Sequence, residues 1–216
     1  IDMNLRGIAA THRRFFGERA FRHAFFWAVA ILVVGVLVNF YAGIYATYKS
    51  SNYVEDIILS NIPVMNVDGF FVVGTFIIAA FTLLLGCARP QWIPFTAASL
   101  GFFYLIRAAF ISLTHLGPFP DRVELDWGTI VTKFIGGNDL FFSGHTGAPF
   151  LLALIFWRYP WLRFTFLAWS VFFATIVLLG HVHYTIDVAS AYFITYTIFH
   201  MSEYLFARYR SFFYRT

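Results

Sequence analysis

The sequence predicts an all-α, polytopic membrane protein, and three observations predict it. Of its 216 residues, 60% are hydrophobic and 12% charged, about half the charged share of a soluble domain. Aromatic residues make up 22%, with 29 Phe, 12 Tyr and 6 Trp, far more apolar surface than a disordered chain carries. Six stretches approach the roughly 20 apolar residues that cross about 30 Å of hydrocarbon. None of them alternates apolar with polar residues as a barrel strand would.

Taken in order, the stretches are Phe25–Tyr48, Gly69–Leu85, Phe95–Leu113, Thr146–Trp157, Leu162–Gly180 and Tyr184–Phe206. The first is longer than the apolar core of a signal peptide and no small-residue cleavage site closes it, so it is expected to remain as a span. The fourth is short and leans on its flanks. The expected organisation is a basic arm over 1–24, a six-span membrane domain over 25–206 and a basic tail over 207–216.

Charge orients these spans. Arg6, Arg13, Arg14, Arg19 and Arg22 precede the first, and Arg89, Arg158, Arg163, Arg208, Arg210 and Arg215 fall on the same side of an even number of crossings. Those eleven cations face three on the other side, Lys49, Arg122 and Lys133, where Glu55, Asp56, Asp68, Asp121, Glu124, Asp126 and Asp139 also gather. Short-loop Lys and Arg favour the cytoplasm. Both termini are therefore expected to be cytoplasmic, with the connections over 114–144 and 181–183 facing the periplasm, lumen or exterior. A net charge of +4, dispersed in this way, points to a membrane and not to a nucleic-acid partner. The single Cys87 excludes an intrachain disulfide and a Cys-built zinc or iron–sulfur site.

Four of the seven histidines, His115, His145, His181 and His183, lie at the outer ends of the expected spans. His183 and Asp187 are four residues apart, so on a helix they share a face and the carboxylate can accept the imidazole Nδ1–H. That pair reads as an oriented nucleophile with Nε2 free, or as a helix cap beside an interfacial histidine. Ser143-Gly144-His145-Thr146 opens the fourth stretch, where a small-residue turn into a helix N-terminus leaves backbone N–H groups suited to a phosphoryl group. It reads equally as a Ser cap followed by an incidental histidine. Arg107 is the one cation inside a stretch, where a charge is costly unless paired or used. It serves a phosphate, an ion pair with an acid such as Asp139, or both. Asp121, Glu124 and Asp126 beside Trp127 suit a cationic headgroup or form a solvated loop.

Phe142-Ser143-Gly144-His145-Thr146 and His183-Tyr184-Thr185-Ile186-Asp187-Val188 resemble the paired motifs of the sphingomyelin synthase branch of the type 2 phosphatidic acid phosphatase superfamily. Asp139, separated from Ser143 by three residues, is similar to that branch's Cys-Gly-Asp-x3-Ser-Gly-His-Thr, with Gly137 and Asn138 in place of Cys-Gly. Tyr104, Arg107 and Thr114, followed by Pro118 and Pro120, resemble its Arg-x6-Thr segment. Tyr192 and Phe199 keep the family spacing, while Ser202-Glu203 replaces a Tyr-His pair and the Pro-Leu-Pro-Asp motif is absent. The Lys-x6-Arg-Pro segment of general lipid phosphatases has Thr82 at its Lys position before Arg89-Pro90, and no Ser-Arg precedes His183.

The resemblance, which runs from about Pro63 to Phe199, implies a six-span catalytic fold and a two-step transfer of a phosphocholine- or phosphoethanolamine-like headgroup. In it, His183 is the nucleophile, Asp187 orients it and His145 is the general acid and then base. Ser143, Gly144, Thr146, Arg107, Asp139 and Tyr184 are the implied phosphate- and substrate-binding residues. The partners are a membrane phospholipid and a lipid alcohol, ceramide or diacylglycerol, or water, which would make the protein a lipid phosphate phosphatase or phospholipase C-like hydrolase. No cofactor and no metal are expected, since the two imidazoles are needed as nucleophile and acid. A transporter or pore is the non-enzymatic alternative, against which stands the clustering of the polar groups at one membrane face. The sequence sets no oligomeric state.

Overall fold

The computed structural model describes residues 5–123 and 140–215, and its regular structure there is helical throughout. The helices are α1 (Leu5–Gly17), α2 (Arg19–Lys49), α3 (Asp68–Ala88), α4 (Ile93–Leu113), α5 (Gly144–Ile155), α6 (Pro160–Leu179), α7 (Thr185–Leu205) and α8 (Ala207–Phe213). Their starts follow local chemistry. Asn66 Oδ1 accepts the Asp68 N–H at 3.1 Å before α3, and Pro94 and Pro160 stand in the first turns of α4 and α6, where a missing N–H costs nothing.

Among the described residues, α2, α3, the segment Pro90–Leu113 and α6 are long and apolar enough to cross a membrane. Their outward side chains agree: Val33, Leu37 and Ile44 on α2 and Phe70, Phe76 and Leu83 on α3 are all exposed, a surface suited to lipid and not to water. The two remaining long elements are the ones that carry the histidine motifs. α5 has 12 residues, about 18 Å of helix, and falls short of the hydrocarbon thickness. α7 has 21 residues, but Asp187, His200, Glu203 and its hydroxyls dilute its apolar content.

Small residues set the closest helix crossing. A Cβ on Gly35 of α2 would run into the Gly101 carbonyl of α4, and one on Gly101 would lie 2.6 Å from the Ile31 carbonyl oxygen. Ala28 packs with Ala97 and Ala98 on one side of this crossing, and Ala42 and Ala46 with Ala108 and Ile111 on the other. Between apolar helices in lipid such close approach supplies the attraction, because no hydrophobic driving force separates helix from solvent. The principal core lies among α3 to α7, where Phe71, Phe103, Phe142, Phe166, Phe173 and Val177 are buried together.

The bundle has two unlike ends. At the end where α3 finishes and α4 starts, Trp92, Phe156 and Phe213 cluster with ring centroids 5.1 to 5.7 Å apart. There α1 docks through His12, whose Nε2–H donates to the Cys87 carbonyl at 2.7 Å, and Arg215 pairs with Glu18 at 3.0 Å. At the other end, three connections are stitched by main-chain hydrogen bonds: Ser51 N to His115 O at 2.9 Å, Gly117 N to Asn52 O at 3.1 Å, Met65 N to Leu179 O at 2.8 Å and Val123 N to Gly180 O at 2.9 Å. The histidine motifs sit under this stitched end.

The glycine crossing is testable by overpacking. Gly101→Val is expected to push α2 from α4 and cost about 1–3 kcal/mol or more, read as a lower melting temperature in detergent. Gly69→Ala, where a Cβ meets nothing within 4 Å, should melt as the wild type does.

Candidate active site

The first motif is built on the start of α5. Ser143 is its N-cap, with extended backbone (φ −60°, ψ 112°), and its Oγ accepts the Thr146 N–H at 3.4 Å and the Thr146 hydroxyl at 3.1 Å. Both side chains are fully buried. Their hydroxyls are thus spent on closing the helix end, and what this end offers an anion is the positive pole of the helix and the N–H groups of its first turn. His145 projects half-buried from that turn with its ring between Phe71 of α3 and Phe173 of α6, at centroid distances of 4.3 and 5.7 Å. Contact with rings from two other helices restricts how the imidazole can turn.

The second motif is delivered by a tight turn. At the end of α6, Val182 N bonds Val177 O at 2.8 Å and His181 N bonds Leu178 O at 3.0 Å, the paired bonds of a Schellman stop. His181 occupies the left-handed position there, with φ 52°, which helices usually give to glycine. Its ring is buried edge-on against Phe119 at 5.1 Å, and among the described residues neither ring nitrogen has a hydrogen-bond partner. Two residues on, His183 is buried with its Nδ1 3.4 Å from Asp187 Oδ2. The same oxygen accepts the Tyr184 N–H at 3.0 Å. One carboxylate oxygen of Asp187 thus both lies beside the imidazole and caps α7.

One main-chain bond joins the motifs. The Ser143 N–H donates to the Asp187 carbonyl at 3.1 Å, so the start of α5 rests on the first turn of α7. Behind it Ser170 of α6 donates to the Thr146 carbonyl at 2.8 Å and lies 3.3 Å from the Tyr192 hydroxyl of α7. Arg107 of α4 is 5% exposed; its Nε–H donates to the Phe142 carbonyl at 2.9 Å and its Nη1 to Asn39 Oδ1 at 3.1 Å. Its guanidinium lies against Gly144, where a Cβ would come within 3.0 Å of Nε. A cation is thus held beside the anion-favouring end of α5. Asp139, Glu124, Asp126 and Trp127 lie outside the described residues. Tyr184 is buried, and its hydroxyl donates to the Gly117 carbonyl at 2.8 Å while accepting the Val54 N–H at 3.2 Å. No three His, Cys, Asp or Glu side chains are grouped as a metal site requires, among the described residues.

Sequence reasoning missed Asp56, which it treated as one of several outer-loop charges. Its Oδ2 accepts the Thr185 N–H at 2.6 Å, and its Oδ1 accepts the Thr185 hydroxyl at 2.8 Å and the N–H groups of Ile58 and Leu59 at 2.9 and 3.2 Å. The partner is 129 residues away, so no local signal marks it. Burial pushes the Asp56 carboxyl up, and the bonds from Thr185, Leu59 and Ile58 outweigh this and hold it below the usual carboxylate value. Asn39 was missed as well, although an amide in the middle of an apolar stretch is the signal that would have found it.

Against known families, residues 136–204 match the model described as PAP2 superfamily C-terminal. That segment contains both histidine motifs. The match supports the type 2 phosphatidic acid phosphatase superfamily and fits a lipid phosphatase or phosphotransferase acting on membrane lipids. Together with the four apolar helices it indicates an integral membrane protein. No curated protein and no solved structure matches the chain.

Asp56 supplies a pH signature. Asp56→Asn puts an amide donor against the Thr185 N–H and is expected to cost about 1–3 kcal/mol at neutral pH. Because the folded carboxyl titrates lower than the unfolded one, this contribution is fully present above the unfolded value of about 3.9 and is lost as pH falls through the folded value. Melting curves of both proteins in detergent should therefore stay separated from about pH 7 to pH 5 and converge below about pH 4.

Proposed function

We propose that the protein is a phospho-headgroup transferase of sphingomyelin-synthase type, moving a phosphocholine- or phosphoethanolamine-like group from a glycerophospholipid to a lipid alcohol through a phosphohistidine. The observation that carries the reading is the double use of Asp187. Its side chain holds Nδ1 of His183, and its carbonyl holds the segment that presents His145. In the first step His183 Nε2 attacks phosphorus, the bond from phosphorus to the diacylglycerol oxygen breaks, and His145 gives that oxygen its proton. In the second, His145 removes the proton of an acceptor hydroxyl, whose oxygen takes the phosphoryl group as the bond to His183 breaks. Ceramide, diacylglycerol and water are chemically equivalent acceptors for these two imidazoles. The guanidinium of Arg107 beside Gly144 and the N-terminal pole of α5 would balance the phosphoryl charge.

In this reading α5 and α7 complete a six-span bundle, the short α5 being supported by its flanks and the polar α7 by the core it packs against. Both termini are cytoplasmic, with the site facing the periplasm, lumen or exterior. The basic residues at one end and the acidic connections at the other support that orientation.

Incubation with phosphatidylcholine, with and without ceramide, followed by mass spectrometry of the lipids, should give diacylglycerol and a phosphocholine-bearing sphingolipid in equal amounts with ceramide, and without it no more diacylglycerol than one equivalent per phosphohistidine. Release of free phosphocholine alone would make it a hydrolase, and no change in any lipid would remove the enzymatic reading.

The two histidines separate with an activated donor. With a nitrophenolate leaving group, His145→Ala should still trap radiolabelled headgroup on the protein while losing at least about 10²–10⁴-fold on the natural lipid, the worth of a general acid. His183→Ala should trap none on either substrate. Label retained by His183→Ala reverses the assignment.

A further inference from the structure

We infer that residues 53–65, the connection from α2 to α3, form an apolar shelf seated in the lipid interface beside the histidine end, and that Asp56 ties this shelf to the start of α7. Ile57 is 83% exposed, Tyr53 56% and Met65 51%, and Val54, Ile58 and Val64 are exposed with them. The segment cannot tuck these side chains inward, because its backbone is committed. Val54 N is held by the Tyr184 hydroxyl, Met65 N by the Leu179 carbonyl, and Asp56 turns inward to Thr185 with Leu59 buried behind it. Outward apolar groups fixed in this way need a partner.

Its surroundings identify the partner as lipid. The shelf joins two helices that are long and apolar enough to cross a membrane. The aromatic residues flanking it, Tyr45 and Tyr48 at the end of α2 and Phe70 at the start of α3, are also exposed, and exposed aromatic side chains at helix ends mark the interfacial level of a bilayer. The apolar surface is thus continuous from the spans onto the shelf. Thr185 follows His183 by two residues, so the two hydrogen bonds from Thr185 to Asp56 connect a lipid-seated loop to the helix start that presents the nucleophile proposed above, while those from Ile58 and Leu59 fix the carboxylate within the loop. The seating rests on the membrane-spanning reading and needs no catalytic activity.

The test is nitroxide labelling of Ile57→Cys in a Cys87→Ser background, reconstituted in phosphatidylcholine and phosphatidylglycerol vesicles. Met65→Cys repeats it at the far end of the shelf, and Asp121→Cys serves as an exposed polar control. Power saturation is expected to show Ile57 and Met65 more accessible to oxygen than to a water-soluble nickel chelate, and Asp121 the reverse. A label at both shelf positions that behaves as Asp121 does overturns the seating. So does a label shielded from both reagents, which would mean a second copy or another protein covers the surface. Adding Asp56→Asn is expected to sharpen the spectrum at 57 without lowering the fraction of folded protein; an unchanged line shape overturns the tie. Oxygen-accessible labels on a protein that turns over no lipid would leave the shelf standing and defeat the enzymatic reading alone.

Discussion

A fully buried carboxylate is costly unless its surroundings use it, and Asp187 is used from both sides. Its Oδ2 meets the imidazole of His183 and the N–H of Tyr184, while its carbonyl receives the N–H of Ser143. Three consequences follow from one residue. The ring is held by a partner on the helix that follows it, that helix's start is capped, and the neighbouring helix start is held at main-chain distance. A shift of Asp187 would move both histidine segments together, which makes the first turn of α7 the reference point of the site.

Two helix N-termini meeting at one place concentrate unsatisfied N–H groups and positive potential. That is unfavourable by itself. Here it is offset by Asp187 within α7, by Asp56 from the loop before α3 and by the hydroxyls of Ser143 and Thr146 at α5. The arrangement also explains why α5 and α7 are the elements least like membrane spans. A helix that starts at buried chemistry must begin below the surface, so α5 is short, and α7 must carry acids and hydroxyls that lower its apolar content.

Much of this was legible in the sequence because it is periodic or local. Apolar run length located α2 to α7, all but the start of α2 to within three residues, and the spacing of four brought Nδ1 of His183 to 3.4 Å from the Asp187 carboxylate, although His183 stands in the turn before α7 and not on the shared helix face expected. The cap at Ser143 is likewise a local signal. What could not be read is whatever needs two distant segments. The hydrogen bonds from Thr185 to Asp56, the bond from Arg107 to Asn39 and the placing of His145 between Phe71 and Phe173 each join residues on different elements. His181 is a third kind of omission: only backbone geometry distinguishes a left-handed helix stop carrying histidine from an ordinary turn, since glycine, the usual marker, stands one residue earlier at Gly180.

Helices α1 to α4 lie outside the residues that match the family, yet the site depends on two of them, α2 and α4. Arg107 is held by Asn39 of α2 on one side and by the Phe142 carbonyl on the other. The height of Asn39 on α2 relative to α4 is fixed by the crossing at Gly35 and Gly101, where neither position admits a Cβ without separating the helices. Two missing Cβ atoms, at Gly35 and Gly101, therefore help set where the guanidinium stands against Gly144. In a bilayer, where the attraction between helices comes from close packing and interhelical hydrogen bonds, that crossing both assembles the first half of the bundle and aims its one buried cation at the start of α5.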